Sequence, residues 1–193
     1  MNRREALRRT AMIMGGAISA PAMLGVLKGC KAEPTINWQP EFLSREQGAL
    51  ITEVAEIIIP VTDTPGAKDV GVPGFIDKML KDVYSKDEQD KFLAAMKAFD
   101  DSAKKEYGDP FIELDPEQQV AFVNKVHEEA VNAHKTDPSQ PRPFILMAKE
   151  LTMLGFFTSE AGATQVLQYS PVPGAYKGCV PVEEAGNGKT WAT

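Results

Sequence analysis

The chain has 193 residues, with 21 Lys and Arg against 27 Asp and Glu, a formal net charge of −6 and two cysteines. That length supports one folded domain with a core of useful size. An acidic balance argues against a nucleic-acid binder, whose affinity comes from Lys and Arg set against phosphate.

Residues 1–30 read as an export signal. The opening M-N-R-R-E-A-L-R-R-T is basic, an uncharged and largely apolar run covers residues 11–27, and Lys28, Gly29 and Cys30 follow. A basic start, an apolar middle and a small residue before a cut site belong to a removable signal rather than a structural helix. A spanning helix needs about 20 apolar residues. This run is shorter, and Gly15, Gly16 and Pro21 weaken it. Arg3 and Arg4, followed by Glu5, Ala6 and Leu7, resemble the signal read by the twin-arginine translocase, which exports proteins already folded. The alternative is an uncleaved N-terminal anchor helix.

Leu27-Lys28-Gly29-Cys30 resembles a lipobox, in which Cys30 would carry a lipid and tie the protein to a membrane. Lys28 departs from the small or uncharged residue usual there. The alternative is cleavage near Ala20 or Ala22, which leaves a free thiol. Either route places the protein in the periplasm, membrane-associated if Cys30 is modified. Residues 1–30 hold five of the basic and one of the acidic residues, so the remainder has 16 basic against 26 acidic and a net charge of −10. With Cys30 lipidated or removed, Cys179 is an odd thiol in an oxidising compartment: a plain free cysteine, or one that pairs between chains.

Residues 31–41 read as a tether, 42–169 as a helical domain and 170–193 as an extended arm. Ser44 and Gln47 form a capping box ahead of Leu50, Val54, Ile57 and Ile58, which recur at helical spacing and stop at Pro60. Residues 60–73 are too rich in Gly and Pro for a helix and predict a structured loop. Pro73 suits the first turn of a helix that turns Phe75, Ile76, Met79, Leu80 and Val83 inward. A second capping box, Ser85 with Glu88, opens a helix carrying Phe92, Ala95, Met96 and Phe99. Asp115-Pro-Glu-Gln118 opens a fourth, with Val120, Val123, Ala130 and Val131 inward. Phe144, Met147, Ala148, Leu151 and Leu154 mark a fifth, and Ser159 caps a short sixth one through about Leu167. No strand period stands out. The expected fold is all-α, a small helical bundle with short connections.

The arm holds Tyr176 and Trp191 among many Pro and Gly residues and few aliphatic ones. It is either a tail packed over the bundle or an extended segment that docks on a partner through its aromatic residues. Catalytic chemistry is hard to find. His127 and His134 are seven apart on one helix face, whereas helical metal pairs more often use a spacing of four. Asp100-Asp101 and Glu128-Glu129 read as solvated faces rather than acid/base pairs. There is no G-x-S-x-G, C-x-x-C, C-x-x-C-H or G-x-G-x-x-G. We therefore expect no catalytic, cofactor-binding or metal-ligating residue in this chain.

Three stretches carry a resemblance. The first is Ala55-Glu-Ile-Ile-Ile-Pro60 with Thr62-Asp-Thr-Pro-Gly-Ala67 and Gly71-Val-Pro-Gly-Phe-Ile-Asp77. The second is Glu150-Leu-Thr-Met-Leu-Gly-Phe-Phe-Thr-Ser-Glu160 with Gly162-Ala-Thr-Gln165. The third is Tyr169-Ser-Pro-Val-Pro-Gly-Ala-Tyr176 with Gly178-Cys179. In this order they resemble the gluconate 2-dehydrogenase subunit 3 family, the small subunit of membrane-bound flavin dehydrogenases acting on sugars and sugar acids. The resemblance implies a large partner subunit of the glucose–methanol–choline type that binds FAD, and a c-type cytochrome or another acceptor beyond it. It implies that the small subunit carries the export signal for both. It also implies that Cys179 is a candidate for a disulfide to the large subunit. Tyr169, Tyr176 and Trp191 are the anchors expected at the interface, together with the region 150–165. A stand-alone exported lipoprotein, binding a small molecule or an envelope component, is the competing reading.

Overall fold

A computed structural model describes residues 36–192, except 173, 176, 177 and 187. The expected export signal with Arg3, Arg4 and Leu7, the lipidation candidate Cys30 and the arm residue Tyr176 lie outside the described residues. The fold is an all-α bundle. Its long helices are α1 (Arg45–Ile58), α2 (Val72–Asp82), α3 (Lys86–Tyr107), α4 (Pro116–Thr136) and α5 (Phe144–Phe157). A 3-10 turn at Phe111–Glu113, a π turn at Gly162–Val166 and a short α6 (Val182–Gly186) complete it.

Helix starts follow the capping chemistry read from the sequence. The Ser44 hydroxyl accepts from the Gln47 backbone N–H at 3.2 Å, and Gln47 reaches back to the Ser44 N–H at 2.9 Å. Glu88 closes the same box on the Ser85 N–H at 2.8 Å, and Gln118 closes one on Asp115 at 3.2 Å. These reciprocal bonds satisfy donors that a helix start otherwise leaves unpaired. Helix α3 ends at Gly108, whose φ of 92° is the left-handed cap that favours a residue without Cβ. The sixth helix expected after Ser159 is a single turn that widens into the π turn.

The core centres on phenylalanine. Phe99 lies 5.1 Å from Phe111, 5.0 Å from Phe122 and 5.1 Å from Phe144, centroid to centroid, and Phe92 lies 5.5 Å from Phe144. Tilted and edge-on pairs at these spacings contribute beyond their buried area. This cluster sets the rotation of α4: Phe122, Val123 and Ala130 face in, while Val120 is 44% exposed. Val83, expected on the inner face of α2, lies just past its end and is 65% exposed.

Helix α5 packs against α1, α2, α3 and α4. It is apolar almost all round, as a helix buried by several neighbours must be. Its close approach to α2 depends on Gly155, where an added Cβ would lie 2.7 Å from the Phe75 ring. Thr152 of the same helix is fully buried, and no protein group hydrogen-bonds its hydroxyl. A buried, unpaired hydroxyl costs about 1 kcal/mol or more. Thr152→Val should therefore raise the melting temperature by a few degrees, about 2–4 °C per kcal/mol at this size. A melting temperature unchanged or lowered in Thr152→Val would show that the hydroxyl has a partner.

Two carboxylates tie the irregular segments to the helices. Asp77 of α2 is 1% exposed. Its oxygens accept the backbone N–H groups of Glu41 at 2.6 Å, Phe42 at 3.2 Å and Leu43 at 2.7 Å. The residues before α1 also pack onto it. The Trp38 indole donates to Thr52 at 3.2 Å, and a Cβ at Gly48 would lie 3.1 Å from Pro40 and 3.3 Å from Ile36. Residues 36–41, read from the sequence as the end of a tether, are thus packed against the bundle. Glu56 of α1 plays the same part for the loop between α1 and α2, accepting the N–H groups of Val61 at 3.2 Å and Lys68 at 3.0 Å. Gly66 lies against that carboxylate, where a Cβ would come within 2.6 Å of an oxygen.

Candidate functional site

The arm closes on its own root. The Gln168 N–H donates to the Thr190 carbonyl at 2.7 Å, and the Ala192 N–H donates to the Gln168 carbonyl at 2.9 Å. This makes an isolated parallel bridge between Gln168 and Trp191. The Lys189 ammonium adds a bond to the Gln165 carbonyl. Tyr169 and Trp191, read as anchors from opposite ends of the arm, are thereby brought to one place. They are 56% and 41% exposed, and Val172 between them is 81% exposed. Cys179 is a free, exposed thiol in the loop that this bridge closes.

The π turn makes the foot of the arm possible. The Leu167 N–H reaches the Gly162 carbonyl at 2.9 Å, and the Gly162 N–H donates to the Ser159 hydroxyl at 3.1 Å. An added Cβ at Gly162 would sit 1.9 Å from the Phe156 carbonyl oxygen. Only glycine fits so close to the preceding turn. On α5, Met153 is 43% and Leu154 is 44% exposed. Exposed apolar and aromatic side chains of this kind are the composition of an interaction surface.

A second feature lies between α4 and α5. An open groove of about 600 Å³ is lined by His134, Arg142, Leu146, Lys149, Glu150 and Met153. His127 and His134 share the helix face that the spacing predicted. His127 Nε2 lies 3.0 Å from Lys149 Nζ, so the ammonium donates to a neutral imidazole. Burial, and then the Lys149 charge, hold the His127 pKa below the ordinary imidazole value. Unfolded, this histidine takes up a proton near pH 6.5, whereas folded it does so only at lower pH. The contribution to stability is therefore present above about pH 6.5 and is lost as the pH falls through the folded value. Solvent screening keeps it well under about 1 kcal/mol. Melting curves between pH 5 and 7.5 should show a slope that His127→Gln reduces; an unchanged slope would place the titration elsewhere.

Among the described residues no cluster of three or more His, Cys, Asp or Glu side chains has the geometry to hold a metal ion. No helix there is long and apolar enough to cross a membrane. The Asp100 carboxylate, read as part of a solvated face, binds both Lys104 and the Phe111 N–H at 2.9 Å, which holds the 3-10 turn against α3. Sequence reasoning missed Asp77, Glu56 and the His127–Lys149 pair. The only signal for the first two was their place inside the quoted motifs.

Taken together, the tied loops and the close helix contacts define a small all-α module. The chain belongs to the gluconate 2-dehydrogenase subunit 3 family, whose pattern matches residues 45–174. It is thus an accessory subunit of the type that accompanies a dehydrogenase. Glu56, Gly66, Asp77, Gly155 and Gly162 all fall inside the matched region, whereas Cys179 and Trp191 lie beyond it. Neither the curated proteins nor the solved structures compared give a match.

Proposed function

We propose that this chain is the non-catalytic small subunit of a periplasmic, FAD-dependent dehydrogenase of the glucose–methanol–choline type, acting on a sugar or sugar acid. It carries the folded, flavin-loaded large subunit through the twin-arginine translocase and stabilises it afterwards. FAD sits in the large subunit, electrons leave towards a c-type cytochrome or another acceptor, and Cys30 lipid holds the complex at the membrane. The family match over residues 45–174 carries this reading. The exposed Met153 and Leu154 of α5 and the exposed Tyr169 and Trp191 of the arm support it, because they offer a partner the apolar and aromatic side chains that interfaces use. Exposed Cys179 is free to link the two subunits.

The test is recovery of the affinity-tagged protein from its native envelope. A second, larger polypeptide with a flavin absorbance spectrum should co-elute, and a band that separates on reduction would report the Cys179 link. A colourless, single-species eluate would sink the reading and favour the stand-alone lipoprotein. Export is tested separately: Arg3→Lys with Arg4→Lys should leave both polypeptides in the cytoplasm, and dehydrogenase activity persisting in the periplasm would contradict it.

A further inference from the structure

Lys149 stands apart from the other lysines. Lys68, Lys81, Lys86, Lys91, Lys97, Lys104 and Lys125 each pair with a carboxylate. Among the described residues, those without such a pair on the outer surface, Lys78, Lys105, Lys135 and Lys189, are exposed to water, and Lys189 also binds the Gln165 carbonyl. Lys149 is half-buried, and its ammonium meets only the His127 imidazole among the described residues. The nearest acid in the groove, Glu150, is already paired with Arg142 at 2.6 Å. A partly desolvated cation without a counter-charge is costly, and a carboxylate brought to it removes that cost.

The surroundings indicate what would bring the carboxylate. Leu146 lies three residues before Lys149, and Met153 four after, so the three share one face of α5. Together they form an apolar–cation–apolar stripe along the open groove. A small polar anion would leave Leu146 and Met153 uncovered. A second copy of this chain would bring a net charge of −6 against another −6. We propose that the α4–α5 groove receives an apolar segment of the partner dehydrogenase polypeptide carrying one Asp or Glu, and that Lys149 is the cation this carboxylate meets. This rests on the subunit reading above and adds a charged anchor beside Met153, which that reading uses only as apolar surface.

The experiment uses the complex isolated from the envelope, treated with a carbodiimide that joins amines to carboxylates already in contact. Peptide mass spectrometry should find Lys149 Nζ in an amide with an acidic residue of the flavoprotein. In parallel, Lys149→Glu should retain about thirtyfold less flavoprotein than the unaltered chain, the scale of a lost buried charge pair. Lys149→Arg should retain it, as should Lys97→Glu on the outer face of α3. Circular dichroism and melting of each variant show whether it is folded. A folded Lys149→Glu that still holds the flavoprotein overturns the anchor and leaves the subunit reading intact. A Lys149 amide to another copy of this chain also overturns it. An unaltered chain that brings no flavoprotein at all removes the subunit reading, and this inference with it.

Discussion

Asp77→Ala should cost about 4 kcal/mol and lower the melting temperature by about 10 °C. The reason is the number of donors that depend on one side chain. Three successive backbone N–H groups, those of Glu41, Phe42 and Leu43, converge on the Asp77 oxygens at 2.6–3.2 Å. A carboxylate, with no proton of its own to donate, is the side chain that can accept all three. No ion pair among the described residues includes Asp77, so backbone dipoles supply the compensation that a cation otherwise would. Truncation strands these donors at a site where Leu43 is 5% exposed. Asp77→Asn keeps the shape but turns one acceptor into a donor, and should cost about half as much. Hydrogen exchange separates this from general destabilisation: the amides of residues 41–43 should lose protection first, while the later turns of α1 keep theirs. Uniform loss of protection across α1 would show that the clasp does not act locally.

The second large effect is expected at Gly162. A methyl group there would meet the Phe156 carbonyl oxygen at 1.9 Å and the Phe157 Cα at 3.0 Å. Both obstacles are backbone, so no rotamer change relieves them. Gly162→Ala should cost about 3 kcal/mol, the range of the most disruptive single substitutions. Its damage should extend to the arm, because Gln165 and Gln168 at the arm's foot belong to the same turn and to the residues just after it. Protease cleavage within residues 169–190 should then quicken well before the bundle melts. Gly74 supplies the contrast. Its nearest neighbour to an added Cβ is the Trp38 ring at 3.8 Å, an ordinary contact, and it lies within α2. Gly74→Ala should leave stability unchanged or raise it by up to about 1 kcal/mol through helix propensity. Equal losses at the two glycines would refute the steric account.

The sequence made the helices legible because their signals are local. Ser44, Ser85 and Asp115 each announce a helix within three residues, and Pro73 marks a start by backbone chemistry alone. Rotation about a helix axis is harder to read. Val120 and Phe122 both suit an inner face of α4, and the choice falls to Phe122 because Phe99, Tyr107 and Phe111 arrive from elsewhere to meet it. The same limit hid the polar ties. Asp77 looks like a helix-surface acid until residues 41–43, more than thirty positions earlier, fold against it. Lys149 and His127 lie on different helices, and only the packing of α4 on α5 sets them 3.0 Å apart. The arm could be read as extended but not as closed, since the Gln168–Trp191 bridge carries no motif.

The position of α5 along the chain has a consequence for the order of events during synthesis. The helix around which α1, α2, α3 and α4 assemble is the last long one to be made. Until residues 144–157 leave the ribosome, the earlier helices lack the one element that all four share, and Phe92 and Phe99 lack the Phe144 ring that they pack against. The core therefore becomes complete only when α5 arrives, and the surfaces of the earlier helices that face α5 stay open to solvent until then.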